Sequence, residues 1–179
     1  MAFIRGINVG GKHLIPMEVL RGLCAKVGLA DARTYIQSGN VVFRAGKREM
    51  SRAEAALAGA VEAERGFRPS VAVRTLADLR RVASARPFGG RRDLEPGKLL
   101  VMFLTGEAGP GAAEAIGALK TNPERIELSG REAFLYFPNG IGKSKLALAT
   151  VERALKASGT TRNWNTVTTM LAMAEELGA

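Results

Sequence analysis

Residues 34–43, Thr34-Tyr35-Ile36-Gln37-Ser38-Gly39-Asn40-Val41-Val42-Phe43, set two short runs of β-formers on either side of Ser38-Gly39-Asn40. Such a pattern predicts a β-hairpin, with strands at 34–37 and 41–43. Upstream, residues 2–7 read as a buried strand. Met17, Leu20, Leu23, Cys24 and Val27 then recur at helical spacing behind Pro16, with Gly28 as the stop. Downstream, Ser51-x-x-Glu54 reads as a capping box for a helix that turns Leu57, Ala60 and Val61 inward and ends at Gly66. Val71–Val73 supplies a further strand. The order from the hairpin outward is βαββαβ, the ferredoxin-like unit.

A helix from Thr75, with Leu76, Leu79, Val82 and Ala83 on one face, leads into a Pro-, Gly- and Arg-rich stretch at 86–97 that reads as a linker. The same order then returns. Leu99–Leu104 is strand-like, 111–119 helical, 125–128 and 133–137 a second hairpin, and 145–156 a helix closed by Gly159. Letters repeat as well: Phe3-Ile4-Arg5-Gly6 parallels Phe103-Leu104-Thr105-Gly106. A short strand at 160–163 follows. Val167, Met170, Leu171, Ala174 and Leu177 then mark a closing amphipathic helix. The expected fold is α+β: two tandem ferredoxin-like halves with antiparallel sheets, at 1–85 and 98–179, and an extra C-terminal helix.

The 179 residues are 46% hydrophobic, enough to bury one sizeable core or two smaller ones. The longest apolar run, Leu99–Leu104, is strand-sized rather than membrane-spanning, and Arg5 and Lys12 flank a Gly-rich loop where a signal peptide needs apolar residues. These features predict a cytoplasmic location and no membrane partner. Cys24 is the single cysteine and His13 the single histidine, which excludes an intrachain disulfide and a cysteine-based metal cluster. No metal site and no cofactor are expected. The net charge of +9 is uneven, with 15 Lys+Arg against 7 Asp+Glu in residues 1–90 and 11 against 10 thereafter. A basic first half fits either electrostatic binding of nucleic acid or a solvated charged face.

Three polar, glycine-punctuated segments stand apart from this Ala- and Arg-rich background: RGINVGGK at 5–12, YIQSGNV at 35–41 and RNWNTV at 162–167. On these motifs the chain resembles the bacterial family known as domain of unknown function 1697, over essentially its whole length. The resemblance implies a family and no activity.

The topology itself brings two of the segments together. The first and third strands of a ferredoxin-like sheet are antiparallel neighbours, so residues 7–12 should lie beside the Ser38-Gly39-Asn40 turn. The expected corner carries Arg5, Asn8, Lys12, Gln37, Ser38 and Asn40 with the backbone amides of Gly10 and Gly11, and it suits a small anionic or phosphate-bearing ligand. Alternatively, Gly10 and Gly11 make a tight connection while Asn8 and Asn40 satisfy turn backbone groups. In the third segment Arg162 is a candidate anion clamp and Trp164 a candidate stacking platform, with Asn163 between them. The bland reading makes Trp164 a packing anchor and Asn165 or Thr166 a helix cap.

Gly140-Ile141-Gly142-Lys143-Ser144 resembles a phosphate loop, yet Phe137 occupies the position where that pattern needs a glycine. Ser144 then reads as a helix cap, or joins Lys143 and Lys145 in touching an anion. No nucleophile is paired with a base, and Glu62/Glu64 and Glu175/Glu176 are spaced so that they do not converge, so no catalytic residue is assigned. Anion binding at the corner is the leading expectation. An electrostatic nucleic-acid-binding module and a structural or protein-interaction role are the alternatives.

Overall fold

Ala2–Ile4 forms β1, three apolar residues buried on both faces. In the computed structural model, which describes residues 1–90 and 93–178, it is the inner strand of a four-stranded antiparallel sheet. The order along the chain is β1, α1 (Met17–Lys26), β2 (Ala30–Tyr35), β3 (Asn40–Arg44), α2 (Lys47–Arg65), β4 (Val71–Val73) and α3 (Leu76–Ser84). Across the sheet it is β2-β3-β1-β4, the expected ferredoxin-like arrangement. Ala2, Ile4, Val41, Phe43, Val71 and Val73 share one sheet face and pack with Leu20, Leu23, Cys24, Leu57 and Val61 of α1 and α2. Phe3, Asn40, Val42 and Ala72 alternate to the other face and are also fully buried.

A short turn, α4 (Pro87–Gly90), precedes the second sheet; Arg91 and Arg92, within the stretch read as a linker, lie outside the described residues. Then come β5 (Leu99–Leu104), α5 (Ala112–Gly117), β6 (Arg125–Ser129), β7 (Glu132–Tyr136), α6 (Leu148–Leu155), β8 (Gly159–Asn163) and α7 (Trp164–Leu177). The sheet order β6-β7-β5-β8 repeats that of the first sheet, again wholly antiparallel. Met102, Leu104, Ala133, Leu135 and Phe137 pack with Ile116, Val151 and Leu155. The chain divides into two compact units, residues 1–80 with 169–179 and residues 81–168. Among the described residues no helix is long and apolar enough to cross a membrane.

The repeat extends to single positions. Phe3 lies opposite Asn40 and Ala72, and Phe103 opposite Glu132 and Thr160. The Ile4 amide donates to the Gly39 carbonyl at 2.8 Å, as Leu104 does to Arg131 at 2.9 Å. Arg5 donates to Ser70 at 2.9 Å, as Thr105 does to Ser158 at the same distance. On this register Asn40 is equivalent to Glu132, and Arg74, next after β4, is equivalent to Arg162 on β8. All four are buried polar residues.

Several boundaries differ from the sequence reading. Strand β2 ends at Tyr35, because Ile36 adopts φ 49° and starts a four-residue loop. Helix α2 begins at Lys47, ahead of Ser51, whose hydroxyl donates back to the Arg48 carbonyl at 2.8 Å. Glu54 therefore lies mid-helix, where its carboxylate accepts the Val73 amide at 2.8 Å and ties α2 to β4. The true capping box lies in Thr75-x-x-Asp78, where Thr75 Oγ1 accepts the Asp78 amide at 3.1 Å and Asp78 accepts the Thr75 amide at 3.0 Å. Residues 141–143 form one 3-10 turn, and α6 starts only at Leu148. Ser144 is not a helix cap: its hydroxyl donates to Glu124 Oε1 at 2.6 Å and accepts the Leu146 amide at 3.0 Å.

Candidate functional site

The segment after β1 cannot continue as a strand. Gly6, Asn8, Gly10, Gly11 and His13 all have positive φ, so the chain coils into a small hairpin in which Val9 and Lys12 pair. Gly10 at φ 58° and Gly11 at φ 74° supply the two left-handed residues of its tip, a conformation glycine adopts without steric penalty. The Lys12 amide closes the tip on the Val9 carbonyl at 3.0 Å.

Asn8 fastens this hairpin to its surroundings. Its Oδ1 accepts the Ile15 amide at 2.8 Å, and its Nδ2 donates to the Ile15 carbonyl at 3.0 Å and to the Gln37 carbonyl at 2.9 Å. The last bond joins the first signature to the second, so the two segments meet as strand pairing requires. Asn40 is fully buried, and its Nδ2 donates to the Tyr35 carbonyl at 3.2 Å and to Ser38 Oγ at 2.9 Å. Gly39 allows the approach: a Cβ there stands 2.8 Å from the Ile4 carbonyl oxygen, at φ 75°. Both asparagine side chains thus hold the corner together from within.

Arg5, Gly10, Gly11, Lys12 and Gln37 are exposed at this corner, and Ser38 is half-buried. Sequence reasoning overlooked its apolar members. Val9, Leu14 and Ile36 are 63%, 61% and 53% exposed, and the His13 ring stacks on Phe67 with centroids 4.2 Å apart. His13 Nδ1 also donates to the Gly6 carbonyl at 3.2 Å. The available signal was three large apolar letters inside otherwise polar loops.

The third signature belongs to the second unit. Arg162 is buried in β8, where its Nη1 donates to Thr160 Oγ1 at 2.7 Å and to the Thr161 carbonyl at 2.9 Å. Burial lowers its pKa to about 10. Asn163, rather than Asn165 or Thr166, caps α7: its Oδ1 accepts the Asn165 amide at 2.9 Å, while its Nδ2 donates to the Gly97 carbonyl at 2.8 Å. Trp164 is half-buried, tilted 48° against Phe134 at 6.4 Å. With Ala85, Arg86, Pro87, Leu94 and Leu99 it lines a cavity of about 380 Å³. Among the described residues no group of three His, Cys, Asp or Glu side chains is placed to hold a metal ion.

No curated protein matches the sequence. A solved structure of a conserved bacterial protein from Streptococcus pneumoniae is similar, with a TM-score of 0.73 over 97% of this chain and 96% of that one. At 23% identity this likeness shows the fold alone. The model for the protein family of unknown function DUF1697 matches residues 1–134, which include the corner-forming signatures and stop short of RNWNTV. On that match the chain belongs to the DUF1697 family.

Proposed function

We propose that the corner formed by residues 5–12 and 37–40 binds a small anionic or phosphate-bearing ligand that also carries an apolar group. One observation supports this most: the Asn8 carboxamide bonds both loops, at 2.8 to 3.0 Å, into a single piece that presents exposed Arg5, Lys12 and Gln37. On this reading Arg5 and Lys12 supply charge, and Gln37, Ser38 and the amides of Gly10 and Gly11 supply further polar contacts. Asn8 and Asn40 are positioning residues. Exposed Val9, Leu14 and Ile36 offer contact for the apolar part. The left-handed Ile36 adds weight, because a β-branched residue at positive φ is strained, and such strain gathers at functional sites.

A thermal-shift and calorimetric screen of phosphate esters, nucleotides, carboxylates and short oligonucleotides tests the assignment. Lys12→Ala is expected to weaken a bound anion tenfold or more while leaving the free protein's melting temperature in place, since one charged contact contributes about 1.5–3 kcal/mol. Oligonucleotide binding that falls steeply with salt, ignores Lys12→Ala and disappears without Lys47 and Arg48 would assign the basic half to nucleic-acid backbone instead. Arg44 suits that role less than its exposure suggests, as its guanidinium binds the Leu177 carbonyl and lies 3.3 Å from Asp31. Silence toward every ligand would favour the structural role that the inward bonding of Asn8 and Asn40 already supports.

A further inference from the structure

The Gly140–Ser144 segment does not open an α-helix, yet its Lys143 lines a cavity of about 580 Å³ in the second unit. Lys120, just beyond α5, meets Lys143 and Lys145 from the β7–α6 connection around this space, with Asn122, Asn139 and Thr150. Ser144, between the two lysines, is extended at φ −82° and ψ 143° and follows the 3-10 turn that ends at Lys143. Glu124, the lining carboxylate, is held by the Ser144 hydroxyl at 2.6 Å. The lining thus carries three lysines against one glutamate, a net positive charge.

We infer that this cavity is a second anion site, selective for a multiply charged phosphate-bearing small molecule, and independent of the reading of residues 5–12 and 37–40. Its volume lies within the roughly 300–1,000 Å³ of small-molecule pockets. Three lysines against one carboxylate give the lining a net positive charge, which a polyanion can offset. Lysine recognises phosphate as a compact point charge, and the carboxamides of Asn122 and Asn139 add donors for its remaining oxygens. Leu119 and Leu146 give the cavity an apolar wall for the body of such a molecule. Recognition here runs through side chains, unlike a phosphate loop, whose backbone amides at a helix start enclose the phosphates.

Isothermal titration with inorganic pyrophosphate, at low salt, is the test, with citrate as a carboxylate of comparable charge. The expected result is one pyrophosphate site that Lys143→Gln and Lys145→Gln each weaken tenfold or more. Lys143→Arg, which keeps the charge, should retain it, and Lys12→Ala should leave it unchanged. All these side chains are exposed, so the free variants should melt with the parent protein. Absence of pyrophosphate binding, binding indifferent to both glutamine variants, loss through Lys12→Ala alone, or citrate bound as tightly as pyrophosphate would each overturn the assignment.

Discussion

Asn8 shows how one side chain can turn a flexible loop into a fixed one. Its carboxamide makes one acceptor and two donor contacts to backbone groups of Ile15 and Gln37. It also sits at φ 55°, where asparagine is tolerated better than most residues. Asn8→Ala is expected to destabilise the protein by about 2–4 kcal/mol in urea unfolding, at about 1 kcal/mol per neutral hydrogen bond. Asn8→Asp separates the contributions, because an ionised carboxylate can accept from Ile15 but cannot donate to either carbonyl; it should be nearly as damaging. An aspartate variant as stable as the parent would remove the donor bonds from the account. Cys24 makes a different residue-level point. Fully buried on α1, its thiol has its pKa raised from 9.0 to about 11 by desolvation. The unfolded thiol ionises first on going up in pH, so the folded state then holds more protons and stability falls with rising pH. Up to about 3 kcal/mol should be lost between pH 9 and 11 in denaturant titrations, and Cys24→Ala should flatten that part of the slope.

At the scale of elements, strands and helices were legible where pattern alone decides them and illegible where a neighbour does. The hairpin at 34–43 and the apolar stripe of α1 carry their own signals. The start of α2 does not: Ser51 and Glu54 spell a capping box, but the helix extends back to Lys47 and Glu54 is drawn to the Val73 amide. A sheet edge offering an unpaired donor outweighed the local rule. Likewise Gly142-Lys143-Ser144 looked like a helix start, and Glu124 claimed the serine. The cap of α7 falls to Asn163, which also secures the Gly97 carbonyl. Asn163→Ala should therefore lower stability by about 1–2 kcal/mol and fray the first turn of α7, measurable as faster amide exchange at residues 165–167. Protection unchanged there would assign the cap to another group.

Across the whole molecule the dominant fact is duplication. Two sheets of the same strand order place buried arginines at one equivalent position and buried Asn40 and Glu132 at another. Arg162 drew notice within a signature while Arg74 did not, yet register makes them counterparts. Arg74→Ala and Arg162→Ala should each cost about 2–4 kcal/mol, through lost stem packing and orphaned acceptors. A large cost at one and none at the other in chemical unfolding would show that only the backbone repeats. The amino-acid sequence by itself determined the βαββαβ repeat and the meeting of residues 7–12 with the 38–40 turn. Hydrophobic period, glycine placement and the pairing rules of a ferredoxin-like sheet are local or topological, and need no knowledge of which side chains touch. Only the tertiary structure decided what the polar letters do. Whether an asparagine faces a ligand or a carbonyl, and whether lysines 23 to 25 positions apart share a cavity, depends on which unpaired backbone groups and charges lie within about 3 Å, and that distance is set by packing.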